Sequence, residues 1–237
     1  MGAAGEHTAY RILCDNPPMS DPGGPAPRTV VHLLRHGEVH NPQRILYGRL
    51  PGYHLSALGR QMALLAATHL ADHDITHVVS SPLERARETA APVAEMHGLQ
   101  VSIDERAIEA TNLFEGLEVA GGANLFKHPR LLRQAWNPFR PSWGEPYADL
   151  AARMRSAIAD ARDAARGHEA VIVSHQAPIW AVRRALEGRR FIHDPRRREC
   201  SLASLTSLTF VGDDLLSLAY SEPAASLLSQ AQPGAGA

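Results

Sequence analysis

Two histidines follow short apolar runs directly, at positions where a side chain could bind or attack an anion. His36 comes after the first apolar run, with Arg35 before it and Gly37 behind it, and His175 comes after a later one. A neutral imidazole near pH 7 can act as a nucleophile or as an acid–base group, and a guanidinium binds phosphate through paired hydrogen bonds. Gly37 permits a tight turn in which backbone N–H groups point at an anion. These residue types therefore favour chemistry on an anionic, phosphate-like ligand.

The elements that must position these histidines alternate along the chain. Short apolar runs rich in β-branched residues predict buried strands at Thr29–Leu34, Val78–Ser80, Val101–Ile103 and Ala170–Ser174. Helical spacing lies between and around them, from Ser56, from Ser81, from Tyr147 and over Ile179–Leu186, and Gly212-Asp213-Asp214 joins two strands as a hairpin. We predict an α/β fold with a doubly wound, mostly parallel sheet, helices on both faces and a closing hairpin at the C-terminal end.

Sites in such sheets lie at the carboxyl ends of the strands, where both histidines are expected. The segment Ser81-Pro82-Leu83-Glu84 follows the second strand and has the features of a helix start. Ser81 can cap the helix, Pro82 suits its first turn and Glu84 completes a capping box. The sequence therefore predicts that a helix begins directly after Ser81.

Four motifs lie in a fixed order along the chain. They are Arg35-His36-Gly37-Glu38, then Ser80-Ser81-Pro82-Leu83-Glu84-Arg85-Ala86 followed by Thr89-Ala90, then Glu109 ahead of Phe114-Glu115-Gly116, and finally Ser174-His175. Together they resemble the histidine phosphatase superfamily, which also contains the cofactor-dependent phosphoglycerate mutases. The resemblance covers roughly Val30 to Tyr220 and implies a doubly wound, phosphoglycerate mutase-like α/β sheet.

The resemblance also implies a chemistry for each catalytic residue. His36 would be the nucleophile and would become a phosphohistidine, while Arg35, Arg85 and His175 would surround the phosphoryl group. Glu109 would protonate the leaving oxygen and then activate water. Because a phosphohistidine is labile to water, no metal and no other cofactor is expected.

Substrate contacts are expected from Arg35, Arg85 and His175, and from three further residues, Gly37, Asn41 and Gln176. Three positions depart from the family pattern. Val39 stands where Ser or Thr is usual, Asn41 lies one position early with Pro42 in the usual place of Asn, and Gln176 replaces a common Gly. The backbone N–H of Gln176 is the useful donor at that position, so its side chain need not change catalysis.

The segment His36-Gly37-Glu38-Val39-His40 superficially resembles a metal-binding motif. Its spacing is not that of the zincins, and it lies in a turn after a strand rather than on a helix. We therefore expect no metal at this segment.

The distance between Glu109 and His175 separates two reaction classes. These residues are 66 positions apart (175 minus 109), and the segment between them holds a single Lys, Lys127. Family mutases carry a longer, more basic insertion, so we predict a metal-independent phosphomonoester hydrolase acting through a phosphohistidine on a small phosphorylated metabolite.

The alternatives are a phosphoglycerate mutase-type phosphoryl transferase and a protein that binds phosphoryl ligands or nucleic acid without turnover. Residues 111–145, rich in aromatic and Arg side chains, are expected to form a lid-like insertion.

Composition excludes several function classes. The chain has 237 residues, 44% hydrophobic and 21% charged, with a formal net charge of -1, which fits neither a general nucleic-acid binder nor a polyacidic tail. Its 24 basic residues comprise Lys127 and 23 Arg.

Seven arginines form a local basic cluster: Arg183, Arg184, Arg189, Arg190, Arg196, Arg197 and Arg198. This cluster could bind a polyanion, but we expect it to be a solvated face and expect no nucleic-acid partner. The oligomeric state is not predicted.

The two ends of the chain differ from its middle. Residues 1–28 are rich in Pro and Gly and predict a flexible arm, in which Met19 rather than Met1 could be the start; residues 222–237 predict a flexible tail. The phosphatase-like domain is expected over residues 29–221. Two cysteines, the absence of a secretory signal and the absence of a long apolar run predict a cytoplasmic protein without a membrane partner.

Overall fold

The computed structural model describes residues 26–118, 144–192 and 198–232, and the backbone of residues 8–10. Within these residues seven strands form one sheet: β1 (Thr8–Tyr10), β2 (Arg28–Arg35), β3 (Ile75–Ser80), β4 (Val101–Ile103), β5 (Glu169–Ser174), β6 (Leu205–Val211) and β7 (Asp214–Ser221). Their order across the sheet is β1-β7-β6-β2-β5-β3-β4.

Helices cover both faces of this sheet. They are α1 (Ala57–His69), α2 (Glu84–Met96), α3 (Tyr147–Ala164), α4 (Gln176–Leu186) and the short α5 (Ala225–Leu228), with a 3-10 turn at Glu105–Ala107. Met154 of α3 and Ile179 of α4 belong to the core on one face, whereas Met62 of α1 and Val93 of α2 belong to the core on the other. The predicted doubly wound α/β fold is confirmed.

The sheet is mixed, with a parallel half and an antiparallel half. Strands β2, β5, β3 and β4 run parallel, while β6, β7 and β1 are antiparallel to their neighbours. The structure places the predicted hairpin at β6–β7, where β6 pairs directly with β2. The antiparallel strands therefore make up a larger share of the sheet than the prediction of a mostly parallel sheet implies.

Strand β2 lies in the centre of the sheet and is buried on both of its faces. Val31 and Leu33 pack into the core beneath α3 and α4, while Leu34 packs into the core beneath α1 and α2. Burial on both faces explains why its sequence is a continuous apolar run rather than an alternating one. The registers pair Arg35 of β2 with Ser174 of β5, so these two strands end side by side.

The two helices on the α1–α2 face start differently. Ser56 caps α1, because its Oγ accepts a hydrogen bond from the backbone N–H of Gly59 at 2.9 Å. Helix α2 begins at Glu84 with Leu83 as its N-cap and no side-chain cap, so the predicted cap by Ser81 is wrong. Ser81 Oγ accepts a long hydrogen bond from the Leu83 N–H at 3.4 Å, and it forms a shorter one, 2.8 Å, with His175 Nε2 from a distant part of the chain.

The prediction of a flexible tail does not hold for residues 222–232. Ala224 is fully buried, and Leu227 and Leu228 pack against the core under α1 and α2. Beyond them the backbone N–H of Gln232 donates to Glu38 Oε1 at 2.8 Å. Apolar side chains at helical spacing dock this segment, although its composition is that of a tail. Residues 233–237 lie outside the described residues.

Two other predicted segments fall largely outside the described residues. In the predicted N-terminal arm, Thr8–Tyr10 pairs with β7, and residues 1–7 and 11–25 are not described. Of the predicted lid, residues 119–143 are not described. No helix in the described part of the chain is both long and apolar enough to cross a membrane.

Candidate active site

Two imidazoles meet at the carboxyl edge of the sheet. His36 follows β2 and His175 follows β5, and their ring centroids are 5.1 Å apart with an angle of 58° between the ring planes. The backbone N–H of His36 donates to the carbonyl of Ser174 at 3.1 Å, which continues the pairing of the two strands. Both residues are fully buried. Adjacent parallel strands that end at the same level thus bring together residues 139 positions apart (175 minus 36).

One nitrogen of the His36 ring is hydrogen-bonded to the protein and the other is unpaired in the described part of the chain. Its Nδ1 lies 2.8 Å from the carbonyl oxygen of Gly37, which can only accept, so Nδ1 carries the proton. Its Nε2 is buried without a partner among the described residues. Burial lowers the pKa of His36 well below its ordinary value, and the positive charges of Arg85 and Arg35 lower it further. His36 is therefore a neutral imidazole with a lone pair on Nε2.

His175 is held in the opposite way. Its Nε2 lies 2.8 Å from Ser81 Oγ, and its Nδ1 is buried without a partner in the described part of the chain. Burial lowers the pKa of His175 well below its ordinary value, and the charge of Arg85 adds to the effect. If Ser81 donates to Nε2, the proton of the neutral ring lies on Nδ1, which can then donate to a ligand.

Two guanidinium groups add positive charge to the same region. Arg35 donates from Nη1 to the carbonyl of Cys200 at 2.6 Å, and Arg85 donates from Nη2 to the carbonyl of Gly48 at 2.6 Å. The guanidinium carbon of Arg85 also lies 4.6 Å from the centroid of the Tyr47 ring. Each guanidinium group is thus held by a hydrogen bond from one of its terminal nitrogens. The Nε atoms of both arginines and Nη1 of Arg85 have no partner within the described ranges.

Glu109 contributes a buried carboxyl group. Its Oε1 accepts from the backbone N–H of Ala110 at 2.8 Å, and its Oε2 is buried without a partner among the residues described. Burial raises the pKa of Glu109 above its ordinary value, against the opposing effects of the Ala110 hydrogen bond and of Arg85 and Arg35. A carboxyl group of raised pKa is suited to donate a proton near neutral pH.

Arginines from two other segments hold the backbone at Glu109. Arg49 Nε donates to the Glu109 carbonyl at 2.6 Å and Arg153 Nη2 does so at 3.3 Å. Glu145 lies between the two arginines and pairs with Arg49 at 2.8 Å and with Arg153 at 2.7 Å. Three segments distant in sequence therefore fix the carboxyl group in place.

The five residues predicted to be catalytic are the ones with unpaired buried polar atoms in this region. Six side-chain atoms of Arg35, His36, Arg85, Glu109 and His175 are buried and lack a hydrogen-bond partner in the described structure. An unsatisfied buried polar group costs about 1–3 kcal/mol, so such groups are expected to have a ligand. Two guanidinium groups, two neutral imidazoles and a carboxyl group are of the kinds that can bind a tetrahedral anion and exchange a proton with it.

Gly37 uses its backbone N–H within the protein, and its predicted contact with substrate stays a prediction. Its N–H donates to Thr89 Oγ1 at 3.1 Å, so this donor already has a protein partner. A Cβ at position 37 would lie 2.4 Å from the carbonyl oxygen of Gly59, which is closer than two such atoms can approach. Glycine is required here because the turn after β2 packs backbone to backbone against the start of α1.

Asn41 likewise uses the polar atoms of its side chain within the protein, and its predicted contact with substrate stays a prediction. Its Nδ2 donates to the carbonyl of Ile45 at 2.8 Å, and its Oδ1 accepts from the Ile45 N–H at 3.0 Å. Both polar ends of the side chain therefore close its own loop, and the early position of Asn41 in the motif agrees with this structural function.

Gln176 is the first residue of α4 and lies at the edge of the site. Its side chain contacts the Cys200 carbonyl at 3.4 Å and Arg198 Nη1 at 3.3 Å. Arg198 also donates to Tyr147 Oη at 3.1 Å, and its charge lowers the pKa of Glu109 slightly. Arg198 thus extends the positive charge of the site towards α3 and α4.

The basic cluster is not the uniform solvated face that we predicted. Arg183 is fully buried, pairs with Glu187 at 3.0 Å and Glu199 at 2.6 Å, and has its guanidinium carbon 5.4 Å from the centroid of the Trp180 ring. Arg196 and Arg197 lie outside the described residues. A charged residue that is paired and packed inside a domain looks, in sequence, like one on the surface.

Sequence reasoning missed several residues that position the site, namely Ser81, Thr89, Tyr47, Arg49 and Arg153. Ser81 could have been found, because it follows β3 at the same sheet edge as the histidines. Thr89 was noted only as part of a motif, and the structure shows its hydroxyl accepting from the Gly37 N–H. Tyr47, Arg49 and Arg153 act through a ring face or backbone carbonyls across large sequence separations, for which the sequence carries no local signal.

Comparisons with known proteins agree with this geometry. Residues 31–222 match the family model of the histidine phosphatase superfamily (branch 1). The chain is similar to the uncharacterised protein Rv0525 of Mycobacterium tuberculosis, with 56% identity over 197 residues, 83% of this chain and 98% of that protein. It is 30% identical over 190 residues to a probable phosphoglycerate mutase GpmB of Escherichia fergusonii, covering 73% of this chain and 82% of the relative.

The structural comparison points the same way. The fold is similar to that of the mycobacterial glucosyl-3-phosphoglycerate phosphatase Rv2419c in its complex with VO3. The TM-score is 0.64 at 30% identity, and the match covers 81% of this chain and 96% of that one. The family model matches most of the chain, and the 30% identical relative covers more than two thirds of it, so together they establish the family. The chain belongs to the histidine phosphatase superfamily.

Proposed function

We propose that this protein is a phosphomonoester hydrolase that uses His36 as its nucleophile. The observation that carries the proposal is the set of unpaired, buried polar atoms that includes His36 Nε2, Arg85 Nη1 and Glu109 Oε2. Burial keeps His36 neutral and favours the protonated form of Glu109. Nucleophile and acid are thus in the protonation states that the first chemical step requires.

In the first step, the lone pair of His36 Nε2 attacks phosphorus and the bond between phosphorus and the ester oxygen breaks. Glu109 transfers its proton to the leaving oxygen and becomes a carboxylate. Arg35 and Arg85 stabilise the charge on the equatorial oxygens, with His175 as a further hydrogen-bond donor. The hydrogen bond from Nδ1 to the Gly37 carbonyl orients the ring and stabilises the charge that it gains.

In the second step, water attacks the phosphohistidine. The Glu109 carboxylate accepts a proton from the water, the P–N bond breaks and its electron pair returns to Nε2. Inorganic phosphate leaves, and the enzyme regains neutral His36 and protonated Glu109. No metal takes part in either step.

The proposed substrate is a small phosphorylated metabolite. The similar solved structure is described as a glucosyl-3-phosphoglycerate phosphatase, and one relative as a probable phosphoglycerate mutase. Phosphoglycerate and its glycosides are therefore the first compounds to include in a substrate screen, alongside sugar phosphates and nucleotides.

The decisive experiment measures hydrolysis of an aryl phosphate and of a phosphometabolite panel in the presence of EDTA. Wild-type protein should release phosphate and form a phosphoenzyme whose phosphate is lost in acid, as expected of a P–N bond. His36→Ala should abolish the phosphoenzyme and lose more than the roughly 10²- to 10⁴-fold that removal of a general acid costs. His40→Ala, which alters an exposed histidine of the same loop, is the matched control. Unchanged turnover in His36→Ala would refute the mechanism.

The same assay tests two other functions. A mutase, which the 30% identical relative favours, would isomerise a phosphoglycerate with little release of phosphate. A protein that only binds phosphoryl ligands would show ligand-dependent stabilisation without any turnover. Phosphate release from the panel, compared with isomer formation, distinguishes all three.

A further inference from the structure

We propose that His32, His73 and Glu169 form a binding site for a transition-metal ion, best suited to Zn²⁺, that is separate from the active site. Two imidazole nitrogens and one carboxylate oxygen of these residues lie within 4.8 Å of one another. Nitrogen and oxygen ligands of this kind, three from the protein, are typical of Zn²⁺ sites that leave a fourth position for water.

Glu169 Oε2 is the centre of the cluster. His32 Nε2 and His73 Nδ1 each lie 2.7 Å from this oxygen, so both rings point to the same atom. Zn–N and Zn–O bonds are about 2.0–2.2 Å long, so a tetrahedral ion places its ligand atoms about 3.3–3.5 Å apart. Each N···O separation would therefore lengthen by about 0.6–0.8 Å, and the two imidazole nitrogens, which lie within 4.8 Å of one another, would come to about the same ligand–ligand distance.

The proton balance of this exchange is simple. In the hydrogen-bonded cluster each neutral imidazole donates its N–H to the carboxylate. When the ion binds, these protons move to the opposite ring nitrogens, the freed lone pairs bind the metal, and the Glu169 carboxylate remains ionised. No net proton is released from neutral imidazoles, and no oxidation is involved.

The cluster already contains the outer hydrogen bond that metal-binding histidines generally have. His32 Nδ1 lies 2.7 Å from Ser207 Oγ of β6, so the tautomer with a proton on Nδ1 can donate to that oxygen and leave Nε2 free for a metal. His32 is 4% exposed and lies within β2, so strand pairing on both sides holds its backbone in place while its ring can adjust.

The other side of the cluster is open enough for an ion to enter. The His73 side chain is 36% exposed and that of Glu169 is 21% exposed. A further imidazole, His69 at the end of α1, has its ring centroid 6.1 Å from that of His73. A bound ion would tie β2, β5 and the turn after α1 to one another, which predicts a stabilising effect.

The site is remote from the phosphatase chemistry. Glu169 begins β5 and His175 follows its end, so the two are six positions apart (175 minus 169) on extended chain, about 20 Å along the strand. Metal binding here can therefore be tested independently of the reaction at His36.

The test uses the untagged, full-length protein freed of metal with EDTA. Zn²⁺ is titrated in competition with a chromophoric chelator, the melting temperature Tm is measured with and without Zn²⁺, and Co²⁺ is used as a spectroscopic probe of the coordination geometry. We expect one Zn²⁺ per chain, a rise in Tm and a Co²⁺ spectrum of tetrahedral type.

Three variants and two controls locate the ion. His73→Ala and Glu169→Gln should each weaken Zn²⁺ binding by at least about 100-fold, and Ser207→Ala, which spares the ligands, by about 10- to 100-fold. His54→Ala removes an exposed imidazole paired with Glu88, and should leave binding unchanged. His36→Ala should also leave it unchanged, which separates this site from the two active-site imidazoles.

The results can overturn the proposal in two ways. Either the wild-type protein shows no saturable Zn²⁺ binding, or His73→Ala binds Zn²⁺ as tightly as the wild type. Because His73 lies partly on the surface, that variant should fold even if Glu169→Gln does not. Phosphatase activity in EDTA is measured in parallel, so failure of the metal site and failure of the proposed reaction can be told apart.

Discussion

Burial shifts the two proposed reacting groups in opposite directions. It raises the pKa of Glu109, because it disfavours a carboxylate, and it lowers the pKa of His36, because it disfavours an imidazolium. Burial in the same site therefore favours a protonated Glu109 and an unprotonated His36 over a common range of pH. The charges of Arg35 and Arg85 oppose the rise in the pKa of Glu109 and add to the fall in the pKa of His36, so they favour a neutral His36 and disfavour a neutral Glu109.

The substitution Glu109→Gln tests the acid. Glutamine keeps the shape of the side chain and an oxygen to accept from Ala110, but it has no transferable proton. We expect kcat to fall by about 10²- to 10⁴-fold for substrates with poor leaving groups, and less for an aryl phosphate whose leaving oxygen needs no proton.

The pH profile of the same variant provides a second measure. In the wild type, activity should fall as pH rises through the raised pKa of Glu109, and this alkaline decline should be absent in Glu109→Gln. Glu105→Gln, on the exposed turn just before it, is the matched control and should behave as the wild type. An unaltered profile in Glu109→Gln would assign the acid to another group.

At the level of elements, the turn that carries His36 is defined by its contact with α1. A Cβ on Gly37 would lie 2.4 Å from the Gly59 carbonyl oxygen, and one on Gly59 would lie 1.9 Å from the Glu38 carbonyl oxygen. Ser56, the cap of α1, also donates from Oγ to Glu38 Oε2 at 2.5 Å. The end of β2 and the start of α1 thus form one tightly packed unit that sets the position of the nucleophile.

We predict that Gly59→Ala damages this unit. The added methyl group must displace the backbone at Glu38, which should cost about 1–3 kcal/mol of unfolding free energy and also lower kcat. Gln61→Ala, at an exposed position of the same helix, should change neither quantity. Urea unfolding and steady-state kinetics measure the two effects, and a Gly59→Ala protein with wild-type stability would contradict the packing argument.

The C-terminal segment belongs to the folded domain through residue 232. A chain ending at Glu222 would lose the burial of Ala224 and the packing of Leu227 and Leu228, which should lower the free energy of unfolding by on the order of 2 kcal/mol. It would also remove the hydrogen bond from Gln232 to Glu38, two residues from His36. A chain ending at Gln232 should match the full-length protein in thermal unfolding, so equal losses in both truncations would contradict this assignment.

At the scale of the whole molecule, the carboxyl ends of β2 and β5 bring two buried titratable groups together. His36 and His175 leave neighbouring strands there, and the pKa of each is well below its ordinary value near 6.5. Besides burial, the charges of Arg85 and Arg35 lower the pKa of both histidines, and that of Arg153 lowers the pKa of His175. A folded protein that keeps two imidazoles neutral must become less stable in acid.

The direction of this effect follows from linkage. Below about pH 6.5 the unfolded chain binds protons on these two histidines that the folded chain does not, so stability falls as pH drops from 6.5 towards the lowered folded values. We expect Tm to decrease between pH 7 and pH 5, and His36→Asn, which removes one of the two groups, to decrease less. Replacing the exposed His40 with Asn should leave the slope unaltered, and a His36→Asn slope equal to that of the wild type would contradict the argument.

The sequence by itself determined the fold class, the strand and helix order and the identity of the family, because these depend on local periodicity and on short motifs. It also singled out His36, Arg35, Arg85, Glu109 and His175, whose unpaired polar atoms the structure places at one edge of the sheet. Only the tertiary structure decided the partners: Ser81 for His175 rather than for a helix end, Thr89 for Gly37, Ile45 for Asn41, and a buried position for Arg183. Periodicity is a property of neighbouring residues, whereas a side chain's hydrogen-bond partner depends on which distant segments the fold brings beside it.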